Sequence, residues 1–288
     1  MKDLLWLVYL YPFRWVAPWL PQNFLAVLGR LAAPFARFRS RKRMDVAARR
    51  MIAAGFEAGL APAIARRLVD NAVFRVLADL MPDRSIRCTQ LRGIAHLEKA
   101  RAAGNGVLLL SVHTFASRAA KRYLAGAGHT MLTVRHGRPP DALAGRFGRR
   151  FLQPRYMEFL HSVIRDEVFV QDPECALKIV GRLRSGGLVN IHIDAPSAVN
   201  TVDWPFLGVP RAFATGPFDI VRLSGCAVVP MSCLGNISDL RISFGPSAAI
   251  RFAASREEFV RLNLPPLARI FETQIMDRPE EWELWTRL

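Results

Sequence analysis

The sequence is poor in cysteine and in acidic residues. Its four cysteines, Cys88, Cys175, Cys226 and Cys233, have no metal-type spacing, so we expect free thiols instead of a metal site or a disulfide framework. The 24 Asp and Glu residues are outnumbered by 40 Lys and Arg, which gives a net charge of +16. This surplus predicts an anionic partner, namely a nucleic acid, an anionic lipid or an acidic carrier protein. Hydrophobic residues make up 51% of the chain, which excludes a disordered tail and predicts a large buried core.

The N-terminal segment, residues 1–43, lacks the uninterrupted apolar run of about 20 residues that a membrane-spanning helix needs. Its apolar residues are interrupted by Pro12, Arg14, Pro18 and Pro21. A signal peptide does not fit, because the basic run "RFRSRKR" follows the apolar residues instead of preceding them. Two interpretations are open. One is a membrane-associated helical segment with tryptophans at the headgroup level and a basic collar; the other is a core helical hairpin with a solvated basic face. We expect the first.

Residues 44–288 have the pattern of one α/β domain. Apolar residues at three- and four-residue spacing predict helices between residues 44 and 80. Further along, short apolar runs alternate with helical segments, which predicts a mixed, mostly parallel sheet flanked by helices. An antiparallel strand is predicted at 239–245, and a closing helix, interrupted around Pro265, at 255–276. The other predicted strands are 106–112, 130–134, 167–171, 187–193 and 227–233, with helices at 141–152, 173–187 and 216–225.

Two of the predicted strands end beside polar residues that suit an active site. His113 stands just past the first of the parallel strands, and Asp194 directly follows another. The carboxyl ends of parallel strands are where α/β enzymes often hold their chemistry. Taken alone, His113 is either a general base or the partner of a local hydrogen bond, and Asp194 is either a functional carboxylate or a turn former.

The segment after Asp194 predicts a second feature. It runs through the loop "WPFLGVP" to Thr215 and Gly216, which begin a helix. Free backbone N–H groups at a helix start suit a phosphate or a developing oxyanion, although Thr215 by itself is equally typical of a helix cap. Arg211 lies near this helix start and is a candidate for contacting an anionic donor or acceptor group.

Together these motifs resemble one family. "GNGVLLLSVH" (104–113) is similar to the block that carries the catalytic histidine of the bacterial lipid A biosynthesis acyltransferases, a branch of the lysophospholipid acyltransferase superfamily. "VDWPFLGVPRAFATGPFDIVRLSGCAVVPM" (202–231) and "RPEEWELWTRL" (278–288) also follow that family's pattern. The resemblance covers nearly the whole chain. It implies a glycerolipid acyltransferase-like α/β fold at the cytoplasmic face of the bacterial inner membrane.

The resemblance implies transfer of a fatty acyl group from a thioester of acyl carrier protein or coenzyme A to a hydroxyl of a membrane-associated acceptor. It implies no metal and no permanently bound cofactor. In the family a histidine is the base, and a carboxylate five residues later orients its ring in the motif HxxxxD/E. Here His113 matches, but the fifth residue is Arg118. A guanidinium stays charged and opposes an imidazolium, so it does not replace that carboxylate.

Three explanations of Arg118 are open. Asp194, or failing that Asp203, supplies the carboxylate from elsewhere in the fold. Alternatively the acceptor is an amine or another group that needs less help from a base, and Arg118 either points outward or binds an anionic substrate. In the third, the protein binds acyl chains or a carrier protein without catalysis. We expect catalysis, with His113 as the base and Asp194 as its partner.

The remaining predicted contacts involve cations and the helix start. A basic helical stripe is predicted to bind an acidic carrier protein, although it is equally a solvated helix face. Membrane lipids are expected partners. A nucleic acid is not expected, since it would explain the charge but not the apolar N-terminus; the oligomeric state is left open. The predicted carrier-binding residues are Arg146, Arg149 and Arg150, and the predicted substrate-binding residues are Arg118, Arg211, Thr215 and Gly216.

Overall fold

The computed structural model describes residues 7–136, 147–195, 200–236 and 239–286, and a seven-stranded sheet lies at its centre. The strands are β1 (Cys88–Arg92), β2 (Val107–Ser111), β3 (Met131–Arg135), β4 (Glu167–Phe169), β5 (Leu188–His192), β6 (Thr201–Phe206), β7 (Val209–Ala214), β8 (Ala227–Leu234) and β9 (Leu240–Phe244). The order in the large sheet is β1-β9-β8-β2-β5-β3-β4. All of its neighbouring strands pair in parallel except β8 and β9. The predicted mixed, mostly parallel α/β fold is confirmed.

Helices cover both faces of this sheet, as expected for strands that read as continuous apolar runs. One buried cluster lies between the sheet and helices that include α2, α3 and α9, and a second lies on the opposite face with α4 and α5. The longer helices are α1 (Gln22–Arg39), α2 (Arg41–Ala53), α3 (Ala61–Leu80), α4 (Ile94–Ala102), α5 (Ser117–Gly126), α6 (Gln153–Ile164), α7 (Cys175–Arg184), α8 (Gly216–Ser224) and α9 (Arg256–Asp277).

Strand β2 is the central strand from which the candidate site begins. Leu108 and Leu110 point into one buried cluster and Leu109 into the other, so the strand is covered on both faces. Gly106 precedes it with a φ of +67°, and a Cβ at this position would lie 2.3 Å from the carbonyl oxygen of Leu183. Only glycine therefore lets β2 begin this close to helix α7.

The prediction of a loop from "WPFLGVP" onward was wrong. Strands β6 and β7 pair there as an antiparallel hairpin, separate from the large sheet. Its turn consists of Leu207 and Gly208, with φ of +51° and +74°, as short hairpin turns require. The prolines and glycine of this stretch are typical of a loop, but Pro205 and Pro210 face each other in the ladder.

The predicted interruption of the last helix around Pro265 was also wrong. Helix α9 continues through Pro265 and Pro266 from Arg256 to Asp277. Each proline removes one backbone donor, but buried side chains on both sides of the pair, including Phe259 and Phe271, hold the helix against the core.

The N-terminal segment packs on the α/β domain with one side and exposes apolar side chains on the other. Leu10, Ala17 and Leu25 belong to a buried cluster with residues of α3 and α6. Trp15 and Trp19 are 73% and 84% exposed. Among the described residues, no helix is both long enough and apolar enough to span a bilayer. The predicted domain boundary between residues 43 and 44 falls inside helix α2 and stays a prediction.

Candidate active site

The parallel register of β2 and β5 brings His113 and Asp194 together. Ser111 lies opposite His192 in the ladder, and each chain continues two residues further to His113 and Asp194. The Nδ1 atom of His113 lies 2.7 Å from Oδ1 of Asp194. A carboxylate therefore contacts the histidine ring, as predicted from the sequence, and it comes from the neighbouring strand.

Asp194 is buried and held by further N–H donors. The backbone N–H of His113 donates to both of its carboxylate oxygens, at 3.1 and 3.0 Å. The indole N–H of Trp282 donates to Oδ2 at 2.7 Å. The C-terminal segment that carries Trp282 is itself joined to this strand end, because the backbone N–H of Glu283 donates to the carbonyl oxygen of His113. The carboxylate is thus fixed in position by these N–H donors.

A second histidine, His192, packs against His113. The ring centroids are 4.3 Å apart with the planes tilted by 33°. Nδ1 of His192 lies 3.0 Å from the hydroxyl oxygen of Ser111, and Nε2 lies 3.5 Å from Nζ of Lys121. Burial, then the charges of His113 and Lys121, hold the pKa of His192 well below its usual range. Burial also lowers the pKa of Lys121 to about 8. His192 is therefore a neutral ring at neutral pH.

His113, His192 and Asp194 also form the one group of potential metal ligands found among the described residues, with donor atoms within 4.8 Å of one another. The carboxylate lone pairs, however, face the N–H donors of His113 and Trp282. This bonding suits an orienting carboxylate beside a base, and a metal ligand set would require it to be broken.

Arg118 does not face this pair. Its guanidinium forms an ion pair with Asp79 at the end of helix α3, and both side chains are largely buried. Burial alone would lower the pKa of Arg118, but Asp79, followed by Tyr156 and Glu283, raises it above its ordinary value. This contact joins helices α3 and α5. The binding of substrate by Arg118 stays a prediction.

The other predicted substrate-binding residues lie near the hairpin. Arg211 is half-buried on β7, with its guanidinium carbon 5.5 Å from the ring centroid of Trp282. Thr215 is buried before helix α8, and Gly216 is its first residue. The Thr215 hydroxyl accepts a hydrogen bond from Arg256 at 2.8 Å and donates to the Asn200 carbonyl oxygen at 3.2 Å. The Trp282 ring thus contacts both Arg211 and Asp194, whereas the Thr215 hydroxyl is hydrogen-bonded to Arg256 and Asn200.

The predicted carrier-binding stripe is only partly described. Arg146 lies outside the described residues. Arg149 and Arg150 are exposed in a π-helical turn, Gly148–Leu152, that leads into α6, and the guanidinium of Arg150 lies over the Phe151 ring. Their role in carrier binding stays a prediction.

Sequence reasoning missed three side chains of the site. His192 precedes Asp194 by two residues, so the two-residue period of a strand was the signal that places both on one side. Lys121 lies one helical turn after Ser117 on α5, and its polarity gave no sign of burial. Trp282 belongs to the terminal motif "EEWELW", but nothing local indicates that its N–H contacts Asp194.

Comparison with known families gives one match. The model of the family described as bacterial lipid A biosynthesis acyltransferase matches residues 4–288. No curated protein matches the chain.

Proposed function

The chain belongs to the bacterial lipid A biosynthesis acyltransferase family, and on this basis we propose that it transfers an acyl group from a thioester of acyl carrier protein or coenzyme A to a hydroxyl or amine of a membrane-associated acceptor. The observation that carries the proposal is the 2.7 Å contact between His113 Nδ1 and Asp194 Oδ1 at the ends of two parallel strands. This contact supplies the carboxylate that position 118 lacks.

The proposed chemistry follows from the histidine tautomer that the carboxylate favours. With its proton on Nδ1, facing Asp194, neutral His113 keeps a lone pair on Nε2. Nε2 takes the proton of the acceptor while the acceptor oxygen or nitrogen attacks the thioester carbonyl carbon. The C–S bond then breaks, and the proton passes from His113 to the leaving thiolate. Asp194 stabilises the imidazolium between these steps.

We further propose that the N-terminal segment holds the protein at the cytoplasmic face of the bacterial inner membrane. The exposed Trp15 and Trp19 support this, since tryptophan favours the membrane–water interface. The basic run at 37–43 lies on the same segment and suits anionic headgroups. An apolar and aromatic face of this kind suits a helical segment that lies in the membrane interface.

The test is acyl transfer by the purified protein, followed by intact mass of the products. Acyl carrier protein and coenzyme A thioesters are offered with a bacterial lipid extract, and His113→Ala is compared with His96→Ala, an exposed histidine on α4. We expect transfer that is lost in His113→Ala and kept in His96→Ala. Thioester binding without transfer in the unmodified protein would favour the alternative, a non-catalytic acyltransferase-fold protein that binds acyl chains or a carrier protein.

A further inference from the structure

Arg211 lies beside the proposed active site, and one of its side-chain donors has no partner among the described residues. Its Nε atom is buried and has no hydrogen-bond partner among the described residues. The guanidinium lies against the ring of Trp282, whose N–H holds Asp194. Buried N–H groups are nearly always paired in folded proteins. The unpaired Nε therefore indicates a donor that a ligand can satisfy.

A second arginine, Arg50 of helix α2, contacts the same C-terminal segment, and its charge acts on Arg211. Arg50 Nη1 donates to the carbonyl oxygen of Trp285 at 2.9 Å, which holds the side chain over the same C-terminal segment. Burial first, and then the charge of Arg50, lower the pKa of Arg211 to about 10, so both groups are still charged at neutral pH. In the described part of the chain no carboxylate pairs with either guanidinium.

We propose that Arg50 and Arg211 together form a binding site for a phosphate group of a substrate. The charge of Arg50 disfavours the charged form of Arg211, and an anion bound by both guanidiniums would offset that repulsion. Guanidinium forks match phosphate oxygens in geometry, and Arg211 offers the unpaired Nε for one of these bonds. Trp282 links the site to Asp194, so a bound phosphate would anchor a substrate within reach of the proposed base.

This proposal rests on the proposed function for its substrate class. Two substrates of that function could carry the phosphate group. The phosphate belongs either to the phosphopantetheine arm of the donor or to a phosphorylated acceptor. Both carry a phosphate ester with a neighbouring chain or sugar. The arms of the experiment therefore separate the two sources.

The experiment is equilibrium binding by titration calorimetry, without any acyl group present. One arm compares 4′-phosphopantetheine with pantetheine, and the other compares glycerol 3-phosphate with glycerol. We expect the protein to bind one phosphorylated probe about tenfold or more tightly than its unphosphorylated counterpart, as a charge-assisted hydrogen bond provides. Since no transfer is measured, a failure of catalysis leaves this result unaffected, and the reverse also holds.

Variants decide whether the two arginines carry the preference. Arg50→Gln and Arg211→Gln are each expected to lose about tenfold in affinity for the phosphorylated probe, whereas Arg50→Lys and Arg211→Lys, which keep the charge, are expected to lose less. The matched control is Arg49→Gln, which removes the same charge from the exposed neighbouring position on α2. Thermal unfolding is measured for every variant to check that it is folded. Absence of a phosphate preference in both arms, or an equal loss in Arg49→Gln, would overturn the proposal.

Discussion

Replacing Arg118 with glutamate would restore the spacing HxxxxE that the family resemblance implies, yet we expect this change to destabilise the protein without increasing acyl transfer. Asp194 already occupies the Nδ1 side of His113. Glutamate at position 118 would instead extend from the first turn of α5 toward Asp79, the present partner of Arg118. The substitution would replace a buried ion pair with two neighbouring carboxylates.

The expected loss of stability follows from that burial. Burial raises the pKa of Asp79, while the charges of Arg118, Arg75 and Arg122 lower it. Removing one member of a buried pair costs about 3–5 kcal/mol, because the other charge is left without its partner. An unfolding entropy of about 2.1 cal/mol/K per residue amounts to about 0.6 kcal/mol/K for 288 residues. The midpoint of thermal unfolding should therefore fall by about 5–8 °C.

The assay combines scanning calorimetry with acyl transfer, which is measured at a temperature below the unfolding transition of the less stable protein. The control is the double variant Asp79→Leu with Arg118→Met, which replaces both charges by apolar side chains and should lie within about 2 °C of the unmodified protein. Arg118→Glu that is as stable as the unmodified protein, or that transfers acyl groups about tenfold faster, would refute the reasoning.

Two further predictions concern the same region. Asp194→Asn should lower kcat by about 10⁴-fold, the loss seen when the orienting aspartate of a serine protease triad becomes asparagine. The control, Asp203→Asn at an exposed position of β6, should leave kcat within about twofold. Equal losses in the two variants would contradict the pairing of Asp194 with His113. Lys121→Met should raise the unfolding midpoint at pH 7 by about 5 °C, because a pKa lowered to about 8 from an ordinary 10.5 means about 3 kcal/mol lost while the lysine is protonated. The destabilisation by protonated Lys121 is complete below pH 8 and disappears as the pH rises through 10, where the unfolded chain also loses its proton. The gain in unfolding midpoint from Lys121→Met must therefore shrink between pH 7 and 10. A gain that does not change with pH would show that charge burial is not its cause.

Most strands of the large sheet could be predicted because each is a short apolar run between helical segments, but β1 (Cys88–Arg92) was missed because most of its side chains are exposed and it has no apolar run. Hairpin β6–β7 could not, because its prolines and glycine are typical of loops and its pairing depends on where Phe206 and Phe213 pack in the core. The continuity of α9 through Pro265 could not either, since burial of its flanking turns outweighs the local preference of proline.

The candidate site, like the fold, could be predicted from the sequence only in part. The strand ends predicted that His113 and Asp194 lie at one edge of the sheet, because parallel strands in register bring the residues beyond them to one place. The expectation that they pair as base and carboxylate came from the family resemblance. The ion pair of Arg118 joins residues 39 positions apart, and the bond from Trp282 to Asp194 joins residues 88 apart. Contacts of such separation depend on how the helices and the C-terminal segment dock, which no local pattern encodes.

If the proposed function holds, the register of β2 and β5 also accounts for the arginine at position 118. A carboxylate can reach the Nδ1 side of His113 by two routes, from the helix that follows β2 or from the end of the adjacent strand β5. Here the second route is occupied by Asp194, which Trp282 and the His113 backbone hold in place. Position 118 then needs no carboxylate, and Arg118 instead pairs with Asp79 where α5 packs on α3. A neutral pair at positions 79 and 118 should therefore keep both the fold and the transfer reaction, whereas no residue at 118 should rescue the loss of Asp194.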